Sequence, residues 1–221
     1  MSTTDSTEHS HNRLRVQASI LCGGRSSRFG SDKARIIIDG RAHLLRLCDV
    51  LDTCCRSVCM VADRSDRYQD LGLSCLIDRV PECGPMGGLE AAMQECSSRA
   101  TRDQDAAEWI LLISCDQLIW RAEWLDQLTQ PVLDRDQNGS QSLQAAAFYS
   151  TAWQPLPALY HISLQPMIAA RTERREQLSL SALLQQLHEQ GRAAKLELAE
   201  SPADWTFNTP DEFERLQRRL G

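Results

Sequence analysis

The sequence has no run of 18 apolar residues, so no segment is expected to cross a membrane as a helix. Its first dozen residues, Met1 to Asn12, are polar and lack the charged-then-apolar order of a secretion signal. Residues 1–13 read as a disordered tail. Positive charge is not in excess: 24 Lys and Arg stand against 30 Asp and Glu, a formal net charge of −6. That argues against a general nucleic-acid binder while permitting a local basic pocket. No C-x-x-C occurs among the nine cysteines, which argues against a zinc ribbon. Most of the cysteines lie in apolar patterns and read as small reduced core residues, as in a reducing cytoplasm. There is no internal repeat, no linker that would split the chain, and no convincing Ser-His-Asp or Cys-His set.

What is present is a Gly-rich, basic stretch behind an apolar run. Val16 to Cys22 reads as a buried strand, and Gly23 and Gly24 follow at once. Glycines let the backbone turn sharply and approach a ligand with no Cβ in the way. Arg25, Arg28 and Lys33 then place three cations within nine residues, and Ser26, Ser27 and Ser31 add hydroxyls. Free main-chain N–H groups beside fixed positive charge make a site for a polyphosphate. It is not a Walker loop, because Gly24 and Gly30 are followed by Ser31 where that motif needs lysine. The dinucleotide fingerprint G-x-G-x-x-G is absent too.

The thirteen residues from Leu21 to Lys33, LCGGRSSRFGSDK, resemble the signature L-x-G-G-x-S-x-R-Φ-G-x-D-K, where Φ is apolar. This is the mark of the MobA-like molybdenum cofactor guanylyltransferases and of related sugar-nucleotide pyrophosphorylases. The resemblance implies an α/β fold: a single Rossmann-like three-layer domain, residues 14–221, with a mostly parallel central sheet of the nucleotide-diphospho-sugar transferase type. The rest of the chain gives the same class from its own pattern. Apolar runs at Ile36–Ile38, Val58–Ala62, Leu73–Ile77, Trp109–Ser114 and Gln144–Phe148 predict strands. Between and after them, helical spacing is expected over 44–51, 66–71, from 89 onward, 123–130 with a stop at Pro131, 164–171, 178–187 and 213–220. Residues 134–142 read as a surface loop. Alternating strands and helices predict a parallel sheet covered on both faces.

Ligands of open α/β sheets collect at the carboxyl ends of strands, which draws attention to two acids. Asp78 closes its strand before the Gly- and Pro-rich segment 81–88, in which Gly87 and Gly88 would admit a base or ribose close to the backbone. Asp116 closes the strand Trp109–Ser114. A carboxylate there must be solvated, paired or bound to metal, and one carboxylate plus triphosphate oxygens and waters makes a magnesium site. The competing reading makes Asp116 the N-cap of the next helix.

The family resemblance extends to these places. Gly84-Pro-Met-Gly-Gly resembles the nucleoside-contacting Gly-Pro-Leu-Ala-Gly segment, and Cys115-Asp116 resembles the magnesium-holding Cys-Asp-x-Pro, without its proline. Gln154-Pro155-Leu156 resembles a segment near the second substrate, and Asn208 matches the second Asn of N-x-N-T-P, with Thr206 in place of the first. The resemblance implies a nucleotide site of Leu21, Cys22, Gly23, Gly24, Lys33, Asp63, Asp78, Gly87 and Asp116, and acceptor contacts at Gln154, Pro155, Leu156 and Asn208. Lys33, Asp116 and Arg28 would carry catalysis, with Mg²⁺ on Asp116. The substrates implied are GTP and molybdopterin, with cofactor-insertion machinery as a further partner and no nucleic acid or membrane. Val61 stands where the family has a base-reading Asn, and Asp63 is the candidate to read guanine N1 and N2 instead. Alternatives are a cytidylyl or sugar-1-phosphate transferase of the same fold, or a non-catalytic nucleotide-binding homologue. Arg171, Arg174 and Arg175 fit either a solvated face or a phosphate contact.

Overall fold

The computed structural model describes residues 14–23, 32–100, 102–139, 142–198 and 200–220. The expected tail 1–13 and the motif residues Gly24 and Arg28 lie outside them. The elements in chain order are β1 Val16–Leu21, a 3-10 turn Lys33–Arg35, a small hairpin of β2 Ile37–Ile38 and β3 Arg41–Ala42, α1 His43–Asp52, β4 Ser57–Ala62, β5 Cys75–Ile77, α2 Pro85–Ala100 and β6 Trp109–Ser114. The second half adds α3 Ala122–Gln137, β7 Ala145–Tyr149, β8 Trp153–His161, α4 Gln165–Arg174, α5 Leu180–Glu189, β9 Ala193–Glu197 and α6 Pro210–Leu220.

Seven strands form the main sheet in the order β5-β4-β1-β6-β8-β7-β9. β5, β4, β1 and β6 are parallel neighbours, β8 runs antiparallel to both β6 and β7, and β9 lies parallel to β7. The central strand β6 shows why the sheet is covered twice. Trp109, Leu111 and Ile113 join a core shared with α1, α3 and α6. Ile110 and Leu112 join the core on the other face, shared with α2, α4 and α5. Side chains alternate along a strand, so an unbroken apolar run must fill a core on each face.

Four sequence expectations shift. The helix expected to stop at Pro131 continues to Gln137 with the proline inside it, so part of the expected 134–142 loop is helical. An interior proline costs an isolated helix roughly 3 kcal/mol. Here the apolar stripe carries on through it, with Leu128 and Val132 both buried in the core. The 66–71 helix contracts to a 3-10 turn, Gln69–Leu71, closed by Gly72 at φ 76°. Gly87 and Gly88 belong to the first turn of α2 and not to the loop before it. The short strand β9 carried no sequence signal, and the segment 153–160 is a strand. Among the described residues, no helix is long and apolar enough to span a membrane.

Candidate active site

Lys33 opens its 3-10 turn, and Asp32 fixes that turn by accepting the Ala34 N–H at 3.1 Å. The Lys33 ammonium donates to the Phe207 carbonyl at 2.9 Å and to Asn208 Oδ1 at 3.0 Å, and it lies 3.8 Å from Asp116 Oδ2. Lys33 and Asp116 therefore share one site, although 83 positions separate them in the chain. Asp116 does not cap α3, whose N-cap is Arg121.

The segment that closes this site from behind is 205–208. Leu118 donates to the Trp205 carbonyl at 2.8 Å, Gln117 and Thr206 form an antiparallel bridge, and Phe207 donates to the Asp116 carbonyl at 3.1 Å. Phe207 thus holds Asp116 through its N–H and Lys33 through its C=O, with the ammonium 5.6 Å from its ring centre. Its fully buried ring leans on His43 at 5.7 Å and on Phe213 at 5.1 Å. His43 is 1% exposed, and neither ring nitrogen has a hydrogen-bond partner among the described residues. Burial pushes its pKa down to about 4, partly opposed by the nearby main chain of Gln117 and Cys115. No sequence pattern pointed to Phe207 or His43. Both act through contacts that only the folded chain brings about.

Ser114, two residues before Asp116, lines a cavity of about 550 Å³. The end of β1 contributes Leu21 and Gly23, β6 contributes Ser114, and Leu156 of β8 closes one side. Three carboxylates, Asp63, Asp78 and Glu82, border it. Asp78 Oδ1 accepts the Val80 N–H at 3.1 Å, and burial raises its pKa against the lowering effect of that bond. Gly87 does not line the cavity. It makes room for Asp78, because a Cβ at Gly87 would sit 2.7 Å from Oδ1. Asp63 is held by Arg67 at 2.8 Å, and that bond keeps its carboxyl below the usual range. Arg67 also reaches Asp32 at 3.4 Å, so one guanidinium links the cavity rim to the turn that carries Lys33.

The remaining candidates are placed differently. The Cys22 N–H is taken by the Val61 carbonyl at 2.8 Å, and its thiol is buried. A hydrogen bond with Cys115, with burial second, raises that thiol's pKa. Gln154 Nε2 donates to Ser201 at 3.1 Å, and the Pro155 carbonyl accepts from Tyr160. Of the three neighbours 154–156, only Leu156 lines the cavity. Arg171 donates to Gln186, and Arg175 pairs with Glu82 at 3.3 Å.

No group of three or more His, Cys, Asp or Glu side chains able to hold a metal exists among the described residues. A protein cage for a divalent ion is therefore not the design these residues offer. Asp116 offers one hard carboxylate that accepts no hydrogen bond from the described residues, with Lys33 beyond hydrogen-bond range. That donor set fits Mg²⁺, which takes one or two carboxylates and completes its shell from phosphates and waters.

Residues 18–191 match the MobA-like NTP transferase domain. A protein of Synechococcus elongatus named probable molybdenum cofactor guanylyltransferase is 30% identical, over 92% of this chain and 99% of its own. The molybdenum cofactor guanylyltransferase of Serratia proteamaculans is 33% identical, over 74% and 78%. Among solved structures, molybdopterin-guanine dinucleotide biosynthesis protein A from Archaeoglobus fulgidus superposes with a TM-score of 0.70 at 15% identity, covering 92% and 98% of the two chains. CMP:2-keto-3-deoxy-manno-octonic acid synthetase, complexed with CTP, gives a TM-score of 0.67 at 13% identity, covering 93% and 98%. These structural likenesses concern the fold, a nucleotidyltransferase α/β architecture with a mostly parallel sheet. With four-fifths of its length matched to the domain and near-complete alignment to a relative at 30% identity, the chain belongs to the MobA-like NTP transferase family.

Proposed function

We propose that this protein transfers GMP from GTP to molybdenum-bearing molybdopterin, yielding the guanine dinucleotide form and pyrophosphate. The observation that carries the reading is the ammonium of Lys33 set 3.8 Å from the Asp116 carboxylate, with Ser114, two residues before Asp116, lining a cavity of about 550 Å³. The family membership supports it, and so do relatives named as guanylyltransferases. The terminal phosphate of the acceptor attacks the α-phosphorus, a P–O bond forms, and the bond to the β-phosphate oxygen breaks as pyrophosphate leaves. The attacking oxygen is already anionic near neutral pH, so positioning and charge neutralisation do most of the work.

In this reading the nucleoside enters the cavity between Leu21 and Leu156, with Asp78 and Asp63 as acceptors for its N–H and O–H groups. Lys33, Gly23, Gly24 and Arg28 hold the phosphates. Asp116 would carry Mg²⁺, which would supply charge neutralisation to the phosphates. Gln154, Pro155 and Leu156 border the acceptor side. We place the enzyme in the cytoplasm, with cofactor-insertion machinery downstream. The test is pyrophosphate release from MgGTP plus molybdenum-loaded molybdopterin, alongside the affinities for GTP and CTP. Tighter binding of CTP, or release no faster than in Lys33→Ala and Asp116→Ala variants, would overturn it.

A further inference from the structure

The family resemblance assigns Asn208 to the acceptor. The geometry points to a different duty: we propose that Asn208 is a positioning residue for the nucleotide lysine. Lys33 reaches into the site on a flexible four-carbon stem, and fixing such a side chain costs rotamer entropy. Asn208 Oδ1 and the Phe207 carbonyl take two of the three ammonium protons, at 3.0 and 2.9 Å. Asp116 Oδ2, at 3.8 Å, is too far to consume the third. The ammonium is therefore immobilised with one donor left for a phosphate oxygen, and that donor lies beside the carboxylate that would hold the metal.

Asn208 is itself fixed. Its N–H donates to Glu212 at 2.6 Å, and Glu212 accepts the Thr209 N–H at 3.2 Å. The Thr209 hydroxyl accepts the Glu212 N–H in return, at 3.2 Å. The start of α6 thus forms a reciprocal cap that aims the amide oxygen at Lys33. The residue is exposed, so replacing it leaves the core intact.

This inference rests on the proposed nucleotidyl transfer, and its test separates the two. Nucleotide affinity is measured by calorimetry with MgGTP and no acceptor, and the KM for the acceptor is measured separately by pyrophosphate release. Asn208→Ala is expected to weaken MgGTP binding about tenfold, the scale of one charge-assisted hydrogen bond. Asn208→Gln keeps a neutral amide oxygen within reach of the flexible Lys33 stem and is expected to bind MgGTP within about threefold of wild type. Unchanged MgGTP affinity in Asn208→Ala, or equal loss in both variants, overturns the proposal. If wild type instead prefers MgCTP, the functional reading fails, and the same two variants test the lysine contact with that nucleotide.

Discussion

Gly87→Ala should separate nucleotide affinity from fold stability. The new Cβ would lie 2.7 and 2.9 Å from the two oxygens of Asp78 and 3.1 Å from its Cγ. Ordinary contact begins at 3.4 Å, so the carboxylate must retreat by about 0.7 Å, the difference between 3.4 and 2.7 Å. It cannot retreat without loosening the bond it accepts from Val80 at 3.1 Å, a loss of about 1 kcal/mol. Alanine in the first turn of α2 returns up to about 1 kcal/mol of helix propensity. The net effect on stability is expected to stay below about 1 kcal/mol, or a few degrees in Tm. Binding has no such compensation. A displaced Asp78 forfeits a hydrogen bond to an ionised group, about 1.5–3 kcal/mol, which weakens GTP binding by about tenfold to a hundredfold. Calorimetric titration of MgGTP and thermal melting on the same two samples measure both quantities. Wild-type affinity in a folded Gly87→Ala protein would refute the reasoning, because Asp78 would then have no part in holding the nucleoside.

Lys33→Ala and Asp116→Asn should each lower kcat by about 10²–10³ if each removes one electrostatic contact to the transition state. Single-turnover pyrophosphate release checks this, and losses below threefold in both would contradict it. His43 gives a pH signature. The folded chain keeps it neutral down to about pH 4, while the unfolded chain takes up a proton near 6.5. Its contribution to stability is thus present above pH 6.5 and is lost as pH falls toward 4, by about 3 kcal/mol in all. Asp78 and Glu90, whose pKa values are raised by burial, act in the opposite sense. The measurement is therefore urea denaturation of wild type against His43→Phe from pH 7 to 4, and parallel curves would contradict it. Thr209→Ala removes the hydroxyl that accepts the Glu212 N–H and should cost about 1 kcal/mol, read as a drop in Tm of about 2–4 °C.

What could be read from the sequence was whatever is local. Trp109 to Ser114 is an apolar run of strand length bounded by turn residues, and β6 has those bounds. The acid that follows it, and Gly23 after β1, sit where strands give way to loops, so their placement at one rim follows from strand direction alone. Contacts across long separations left no trace in any window of residues. Lys33 meets Phe207 and Asn208 at separations of 174 and 175 positions, and Asn208 matched a motif for another duty. β9 is short and half polar, and it became a strand because β7 offered it a parallel edge. Pro131 was read by its local rule, which the burial of Val132 overrode. Asp63 is the candidate to read the base in place of Val61, and nothing in the sequence announced its pairing with Arg67.

The reversed strand β8 has one more consequence. Because it runs against β6, its beginning and not its end meets the carboxyl tips of the parallel strands, and this brings Leu156 beside Ser114. The parallel half of the sheet and its inverted neighbour therefore deliver their loops to a common rim from separate stretches of chain. Substitutions around 150–156 can reshape one bank of that rim while Gly23, Asp78 and the Lys33–Asp116 pair stay as they are. On the proposed function, a scaffold wired this way can exchange one reaction partner for another without relearning how to hold the first.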